Sequence, residues 1–234
     1  MDPSSYYWMT KPTDRFILRQ VKLHASAKLT RQIARYYWIQ PWMVTLASTF
    51  LGVLGGVFFA LGFGFLGGIL LLFSQVLDGS DGQLARLKGK ESPQGAFLDS
   101  VLDRYADGAA VIGLCVGIAR TNPLIPPWAL VCLGAFALIG SGLISYTTAR
   151  AEVLGLRLGK PTLASKGTRF VAMGLAGLLS FFSQDFLLLV LTYLALHTQL
   201  VVLYRILRTH SGAVNDGGSL EDTSGETDPC KKIP

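Results

Sequence analysis

The stretch from Met43 to Leu77 contains no charged residue, and this feature restricts the fold more than any other in the 234-residue chain. A helix of roughly 20 apolar residues crosses the hydrocarbon core of a bilayer, so the stretch is long enough for two crossings. The glycines around Phe63 predict a turn between them. Half of the residues are hydrophobic and only 15% are charged, which is atypical of a soluble domain. We therefore predict a membrane protein.

Four more apolar segments follow, at about 96–119, 124–148, 170–183 and 186–204. The sequence thus predicts an all-α membrane protein with six transmembrane helices in one bundle. The expected organisation is a cytoplasmic N-terminal segment at 1–42, a six-span catalytic transmembrane domain at 43–208 and a disordered cytoplasmic tail at 209–234.

The basic residues predict the orientation of this bundle. All but two of the 21 lysines and arginines lie before the first span, after the last span, or in connections on that same side, the exceptions being Arg104 and Arg120. Because cytoplasmic loops are enriched in cations, both termini are expected in the cytoplasm. Membrane insertion therefore accounts for the net charge of +6, and we do not expect a nucleic-acid partner.

The segment from Thr13 to Tyr36 mixes basic residues with apolar ones at mostly helical spacing. This pattern predicts an amphipathic helix on the surface of an anionic leaflet, and a plain positive-inside anchor is the alternative. The apolar positions are Phe16, Ile17, Val21, Leu23, Leu29 and Ile33.

Glycine pairs spaced four residues apart occur in three of the predicted spans. Such spacing lets helices approach closely, although ordinary membrane glycine content would also account for it. The pairs are Gly52 with Gly56, Gly64 with Gly68, and Gly113 with Gly117.

Aspartates concentrate where the second span ends and the third begins. Asp78 and Asp81 share one face of the second span, and Asp99, Asp103 and Asp107 share one face of the third. Carboxylates near a bilayer are costly unless cations pair with them or protons neutralise them. We therefore interpret the cluster as a functional site, with a solvated helix-loop-helix as the alternative.

The chemistry of the cluster favours a hard cation. Its ligands are oxygens without histidine or cysteine, which suit Mg²⁺ or Mn²⁺, and four carboxylates can hold two ions. Paired divalent ions at a membrane face suit a phosphate or pyrophosphate substrate.

These residues also follow a longer pattern, D-x2-D-G-x2-A-R-x8-G-x3-D-x3-D, over 26 positions. The pattern resembles the signature of the CDP-alcohol phosphotransferase family, and the six-span layout and basic N-terminal helix are similar as well. The matching residues are Asp78, Asp81, Gly82, Ala85, Arg86, Gly95, Asp99 and Asp103.

The resemblance implies transfer of a phosphoalcohol group from a CDP-alcohol, with release of CMP, in phospholipid biosynthesis. Asp78, Asp81 and Asp99 would hold the metal pair, and Asp103 would be the general base that could also contact a metal. The small residues Gly82, Ala85 and Gly95 would allow close approach of the cytidine nucleotide. Arg86 would bind its phosphates.

Three positions need separate treatment, because one has a second interpretation and two depart from the family pattern. Gly95 could instead be a helix-packing glycine. Asp107 matches no position of the pattern, and we expect it to be a buried acid paired with Arg104 or with a polar residue of a neighbouring span. Family members often have Pro-Asn before the first span, whereas Trp42 follows Pro41 here, so Trp42 is not expected in the site.

The acceptor alcohol is less constrained. Arg150, Lys166 and Arg169 lie in and after the loop between the fourth and fifth spans, on the side of the aspartates, and would suit a phosphorylated acceptor. The positive-inside rule alone also predicts cations there.

Three functions remain open from the sequence. The first joins CDP-diacylglycerol to a polar alcohol, the second uses a small donor such as CDP-inositol to make a di-inositol phosphate solute, and the third is divalent-cation transport. The expected partners are a CDP-linked donor, a polar alcohol that could be phosphorylated, the lipid bilayer and a second copy of the chain.

Overall fold

The structure is a computed structural model that describes residues 22–156, 158 and 165–210, and its regular elements in these ranges are helices. A π-helical turn at Lys22–Ser26 leads into the short helix α1, Ala27–Ile33. The longer helices are α2 Pro41–Ala60, α3 Gly64–Leu87, α4 Pro93–Thr121, α5 Pro127–Val153, α6 Lys166–Leu179 and α7 Asp185–His210. The predicted all-α class is confirmed.

Proline and glycine set the helix boundaries. Pro41, Pro93 and Pro127 occupy the first turn of α2, α4 and α5, where a missing N–H costs nothing. The predicted break near Phe63 is a turn in which Gly62 has a φ of +89°, a conformation that favours glycine. The sequence therefore located both helices of the uncharged stretch.

Among the helices of the described residues, three are long and apolar enough to cross a membrane: α2, α5 and α7. The other long helices differ for physical reasons. Charged residues interrupt α3 and α4, and α6 has 14 residues, which extend about 21 Å, short of a hydrocarbon core about 30 Å thick. The apolar helices indicate a membrane protein.

Helix α2 lies at the centre of the packing that positions the acids, because it contacts both α3 and α4, while α3 also packs against α6. Close approach depends on glycine. A Cβ at Gly113 of α4 would lie 2.0 Å from the carbonyl oxygen of Gly56 in α2, and one at Gly68 of α3 would lie 2.9 Å from Gly177 of α6. These glycines therefore serve helix packing.

The outer surface of the bundle carries large apolar side chains. Phe50 is 66% exposed, Val131 69% and Leu189 66%, whereas Phe59, Leu71 and Leu114 are fully buried. Large apolar side chains exposed on several helices suit contact with lipid.

The N-terminal segment packs on α3 through small polar residues. Ser26 Oγ donates to the Val76 carbonyl at 2.8 Å, and Thr30 Oγ1 donates to Gln83 Oε1 at 2.9 Å. Leu29 and Ile33 are half-buried. The predicted positions Phe16, Ile17 and Val21, the side chain of Leu23, and the tail beyond residue 210 lie outside the described residues, so the amphipathic helix stays a prediction.

We predict that Gly113→Ala destabilises the bundle, because the new methyl group would overlap the α2 backbone. Overpacking of this kind costs about 1–3 kcal/mol. Gly108 is the matched control in the same helix, since nothing lies within 4 Å of its Cβ position. Thermal unfolding in detergent should show a lower midpoint for Gly113→Ala than for Gly108→Ala. Equal midpoints would contradict close α2–α4 packing.

Candidate active site

Three of the four predicted metal ligands converge at one end of the bundle. Asp78 on α3 and Asp99 and Asp103 on α4 each offer a carboxylate oxygen, and these oxygens lie within 4.8 Å of one another. We call these residues the aspartate cluster. Helix α2 contacts both α3 and α4, and their acidic residues come close together at this end.

A lysine amine enters this cluster from the first turn of α6. Lys166 Nζ donates to Asp78 Oδ1 at 2.6 Å and also to Asp103 Oδ1. The Lys166 side chain is only 16% exposed. One ammonium group therefore forms ion pairs with two acids from two different helices.

Asp81 has a separate environment. Its carboxylate accepts a hydrogen bond from Thr45 Oγ1 at 2.7 Å and another from the Gly82 backbone N–H. Asp78 and Asp99 lie close enough to repel its charge electrostatically. Asp81 is thus adjacent to the aspartate cluster but oriented by α2.

A cavity of about 490 Å³ opens beside Asp81 and Asp99, and we call it the aspartate cavity. Small residues of the sequence pattern form part of its wall, so the cavity extends to the backbone there. Its lining comprises Pro41, Trp42, Thr45, Asp81, Gly82, Ala85, Lys90, Glu91, Ser92, Pro93, Gly95, Ala96 and Asp99.

Two glycines of the pattern border this cavity without packing against another helix. The nearest atom to a Cβ at Gly95 would be Ser92 Oγ, at 3.2 Å, and at Gly82 it would be Arg86 Nη1, at 3.8 Å. The helix-packing interpretation of Gly95 is therefore not supported. The same distance places one guanidinium nitrogen of Arg86 near Gly82.

Asp107 belongs to a buried network one turn beyond Asp103. Its Oδ2 accepts hydrogen bonds from Arg169 Nη2 and from Ser141 Oγ, the latter at 2.9 Å, and Arg104 Nη1 lies 3.9 Å away. The expected buried acid is confirmed, but its principal partner is Arg169 of α6. The network joins α4, α5 and α6.

The three predicted acceptor residues fall in three environments. Lys166 binds the aspartate cluster, Arg169 binds Asp107, and Arg150 borders a second cavity of about 380 Å³. This second cavity lies between the ends of α5 and α7 and is also lined by Arg205 and His210. The three cations therefore have different partners in the structure.

The aspartate cluster fits a hard divalent cation. Its donors are carboxylate oxygens, and the ammonium of Lys166 shows that positive charge is stable among them. Two oxygens bound to one Mg²⁺ lie up to about 4 Å apart, so small side-chain rotations would bring the cluster into one coordination shell.

The residues of this region that sequence reasoning missed include Thr45 and Trp42. Thr45 orients Asp81 from 36 positions away, and Trp42, which was not expected in the site, borders the aspartate cavity. Local spacing gives no signal for either contact. Their place within four residues of Pro41, at the start of a helix that packs on α3, could have suggested them.

The family follows from a match of the CDP-alcohol phosphatidyltransferase model to residues 38–210, which is most of the chain. The chain belongs to this family. It is 38% identical over 149 residues to the phosphatidylinositol phosphate synthase of Streptomyces avermitilis, covering 61% of this chain and 59% of that protein. It is 37% identical over 144 residues to the bifunctional IPC transferase and DIPP synthase of Rubrobacter xylanophilus, covering 60% of this chain and 31% of that protein. The chain thus spans less than two thirds of these relatives.

Solved structures are similar across more of the chain. The Mycobacterium tuberculosis phosphatidylinositol phosphate synthase in complex with manganese and citrate has a TM-score of 0.68 and 28% identity, covering 80% of this chain and 89% of that one. The same enzyme with CDP-DAG bound has a TM-score of 0.65, covering 78% and 92%. One crystal structure of this relative therefore contains manganese, and another contains CDP-DAG.

We predict that Arg169→Gln lowers stability, because it leaves the buried Asp107 carboxylate without its guanidinium. Breaking a buried ion pair by removing one partner costs about 3–5 kcal/mol. Thermal unfolding in detergent should show a large decrease for Arg169→Gln and little change for Arg150→Gln, whose side chain is exposed. Adding Asp107→Asn should recover part of the loss. A stable Arg169→Gln protein would contradict the structural role.

Proposed function

We propose that this chain transfers a phosphoalcohol group from a CDP-linked donor, foremost CDP-diacylglycerol, to the hydroxyl of a polar alcohol and releases CMP. The observation that carries this proposal is the aspartate cluster next to a cavity with small-residue walls. Membership of the family supports it.

The proposed reaction forms one bond and breaks one bond at phosphorus. The acceptor oxygen attacks the phosphorus that carries the alcohol, and the bond from that phosphorus to the bridging oxygen breaks, so CMP leaves with the bond electrons. Asp103 accepts the proton of the acceptor hydroxyl. Two Mg²⁺ or Mn²⁺ ions, held by Asp78, Asp81, Asp99 and, where it contacts an ion, Asp103, would offset the charge of the pyrophosphate.

The nucleotide would occupy the aspartate cavity. Gly82, Ala85 and Gly95 leave room for it at the cavity wall, and Arg86 next to Gly82 offers a planar fork of donors to its phosphates. Trp42 adds an aromatic surface to the same wall, and aromatic side chains commonly stack on bases.

The proposed topology places this site at the cytoplasmic face. All six long helices are embedded in the bilayer as one catalytic domain at 43–208, and the flanking segments 1–42 and 209–234 are cytoplasmic. Support comes from the positive-inside rule, because the ends of α3 and α5 and the start of α6 carry the basic residues. Among the described residues, Asp78, Asp99 and Asp103 converge at one end of the bundle. A transport pathway would instead need acids at several depths of the membrane, so this arrangement disfavours one.

A phosphorylated polyol is the proposed acceptor class. Relatives named phosphatidylinositol phosphate synthase support it, and so does the second cavity, which Arg150 and Arg205 border. Lys166 and Arg169 were expected at the same phosphate, but their charges are engaged by acids, so we assign the phosphate contact to Arg150.

The activity test uses purified protein with labelled CDP-diacylglycerol and a panel of alcohols and phosphorylated polyols. CMP release should require both an acceptor and Mg²⁺ or Mn²⁺. Asp103→Asn should lower kcat by about 100-fold or more, because general-base catalysis contributes at least that much. Asp185→Asn is the matched control, since Asp185 is exposed and bonded to Ser183 beyond the cluster.

Two outcomes would contradict this assignment. Absence of CMP release with every acceptor and either metal would overturn the proposed reaction, and normal turnover by Asp103→Asn would remove Asp103 from it. Release of CMP from CDP-inositol but not from CDP-diacylglycerol would instead support the soluble-donor alternative, which the name of the Rubrobacter relative favours.

We predict that Arg150→Gln raises the KM for a phosphorylated acceptor by about tenfold, because a charged hydrogen bond is lost. The KM for the CDP-linked donor should not change, since Arg150 borders the second cavity and not the aspartate cavity. Arg120→Gln, an exposed substitution at the far end of α4, is the control for loss of charge. Unaltered acceptor kinetics in Arg150→Gln would exclude this phosphate contact.

A further inference from the structure

The ammonium group of Lys166 occupies the position at which two of the clustered carboxylates meet. It lies 2.6 Å from Asp78 Oδ1 and is hydrogen-bonded to Asp103 Oδ1, and both acids are largely buried. Asp99 supplies the third oxygen of the same group. The amine thus contacts oxygens that the proposed reaction assigns to a divalent ion.

An ammonium and a divalent cation cannot share these oxygens favourably. An ion bound to Asp78 Oδ1 would lie within about 5 Å of the amine, given metal–oxygen distances of about 2.1 Å, and the two positive charges would repel strongly in a partly buried site. The amine and the ion therefore compete for this pair of acids.

We propose that Lys166 is an internal counter-cation of the aspartate cluster, which forms ion pairs with Asp78 and Asp103 in the metal-free protein and is displaced when a divalent ion binds. This inference rests on the metal site of the proposed function. It assigns Lys166 a positioning role, because the residue acts through the carboxylates.

The surroundings of Lys166 allow such displacement. It is the first residue of α6, so its flexible four-carbon side chain starts at the edge of the helix. The ring of Phe170, one turn further along, has its centroid 5.3 Å from Nζ, so the amine has a cation–π partner in addition to the two carboxylates. Arg169 differs, because its guanidinium is 4% exposed and fixed on Asp107.

Competition by a tethered amine has two consequences. The cluster keeps a compensating charge when no ion is bound, so clustered acids do not destabilise the end of the bundle. The affinity for the divalent ion is also lower than the carboxylates alone would provide, because the amine must first be released.

The test compares Mn²⁺ binding, measured by the paramagnetic resonance of free Mn²⁺ without substrate, in the wild type, Lys166→Met and Lys28→Met. Methionine keeps the length of the side chain and removes its charge. Lys166→Met should bind Mn²⁺ about tenfold more tightly or better, whereas Lys28→Met, an exposed substitution in α1, should match the wild type. Equal or weaker binding by Lys166→Met would overturn the inference.

The metal site itself is tested separately by Asp99→Asn, which should weaken Mn²⁺ binding. If the wild type binds Mn²⁺ and Lys166→Met binds it no better, the counter-cation role fails and the metal site stands. If neither protein binds Mn²⁺, both proposals fail.

Stability gives a second readout. In EDTA, Lys166→Met should unfold at a lower temperature than the wild type, and Mn²⁺ should raise its midpoint by more. Lys166→Arg covers the case in which Lys166→Met cannot be purified. A guanidinium can bind two carboxylates at once, so this variant should bind Mn²⁺ more weakly than the wild type. Unchanged Mn²⁺ affinity in Lys166→Arg would count against displacement.

Discussion

Charge compensation at one end of an apolar bundle is the constraint on which the rest of this structure depends. Five buried or half-buried acids on α3 and α4 could not persist there without cations. Helix α6 supplies two of them from one side of its first turn: Lys166 binds Asp78 and Asp103, and Arg169 binds Asp107. A helix too short to cross a bilayer by itself therefore holds the acidic ends of two longer helices in place.

Close backbone packing makes this arrangement possible. Gly56 and Gly113 bring α2 and α4 into contact, and Gly68 and Gly177 do the same for α3 and α6. With α2 packed on both acidic helices, their carboxylates converge beside a cavity. The glycines and the ion pairs thus have complementary roles. The glycines allow the helices to approach closely, and the ion pairs compensate the charges that this close packing buries.

The sequence predicted the helices and the grouping of the aspartates well, because both depend on residues that lie close together along the chain. Apolar runs, starting prolines and the turn at Gly62 lie within a few residues of what they specify. The prediction for the cations was less complete. Lys166 lies 88 positions from Asp78, so no spacing along the chain reveals that pair, and the basic loop suggested a phosphate site instead.

The sequence by itself determined an all-helical membrane protein with an acidic, metal-compatible site at the junction of two helices, because helical periodicity places residues three or four apart on one face. Tertiary structure alone decided the partners of those residues. Thr45 orients Asp81, Trp42 borders the cavity, and Arg150 lies at a different cavity from Lys166. The reason is physical. The residues that share one face of a helix are set by spacing along the chain, whereas the residues that this face contacts depend on which other helices pack against it.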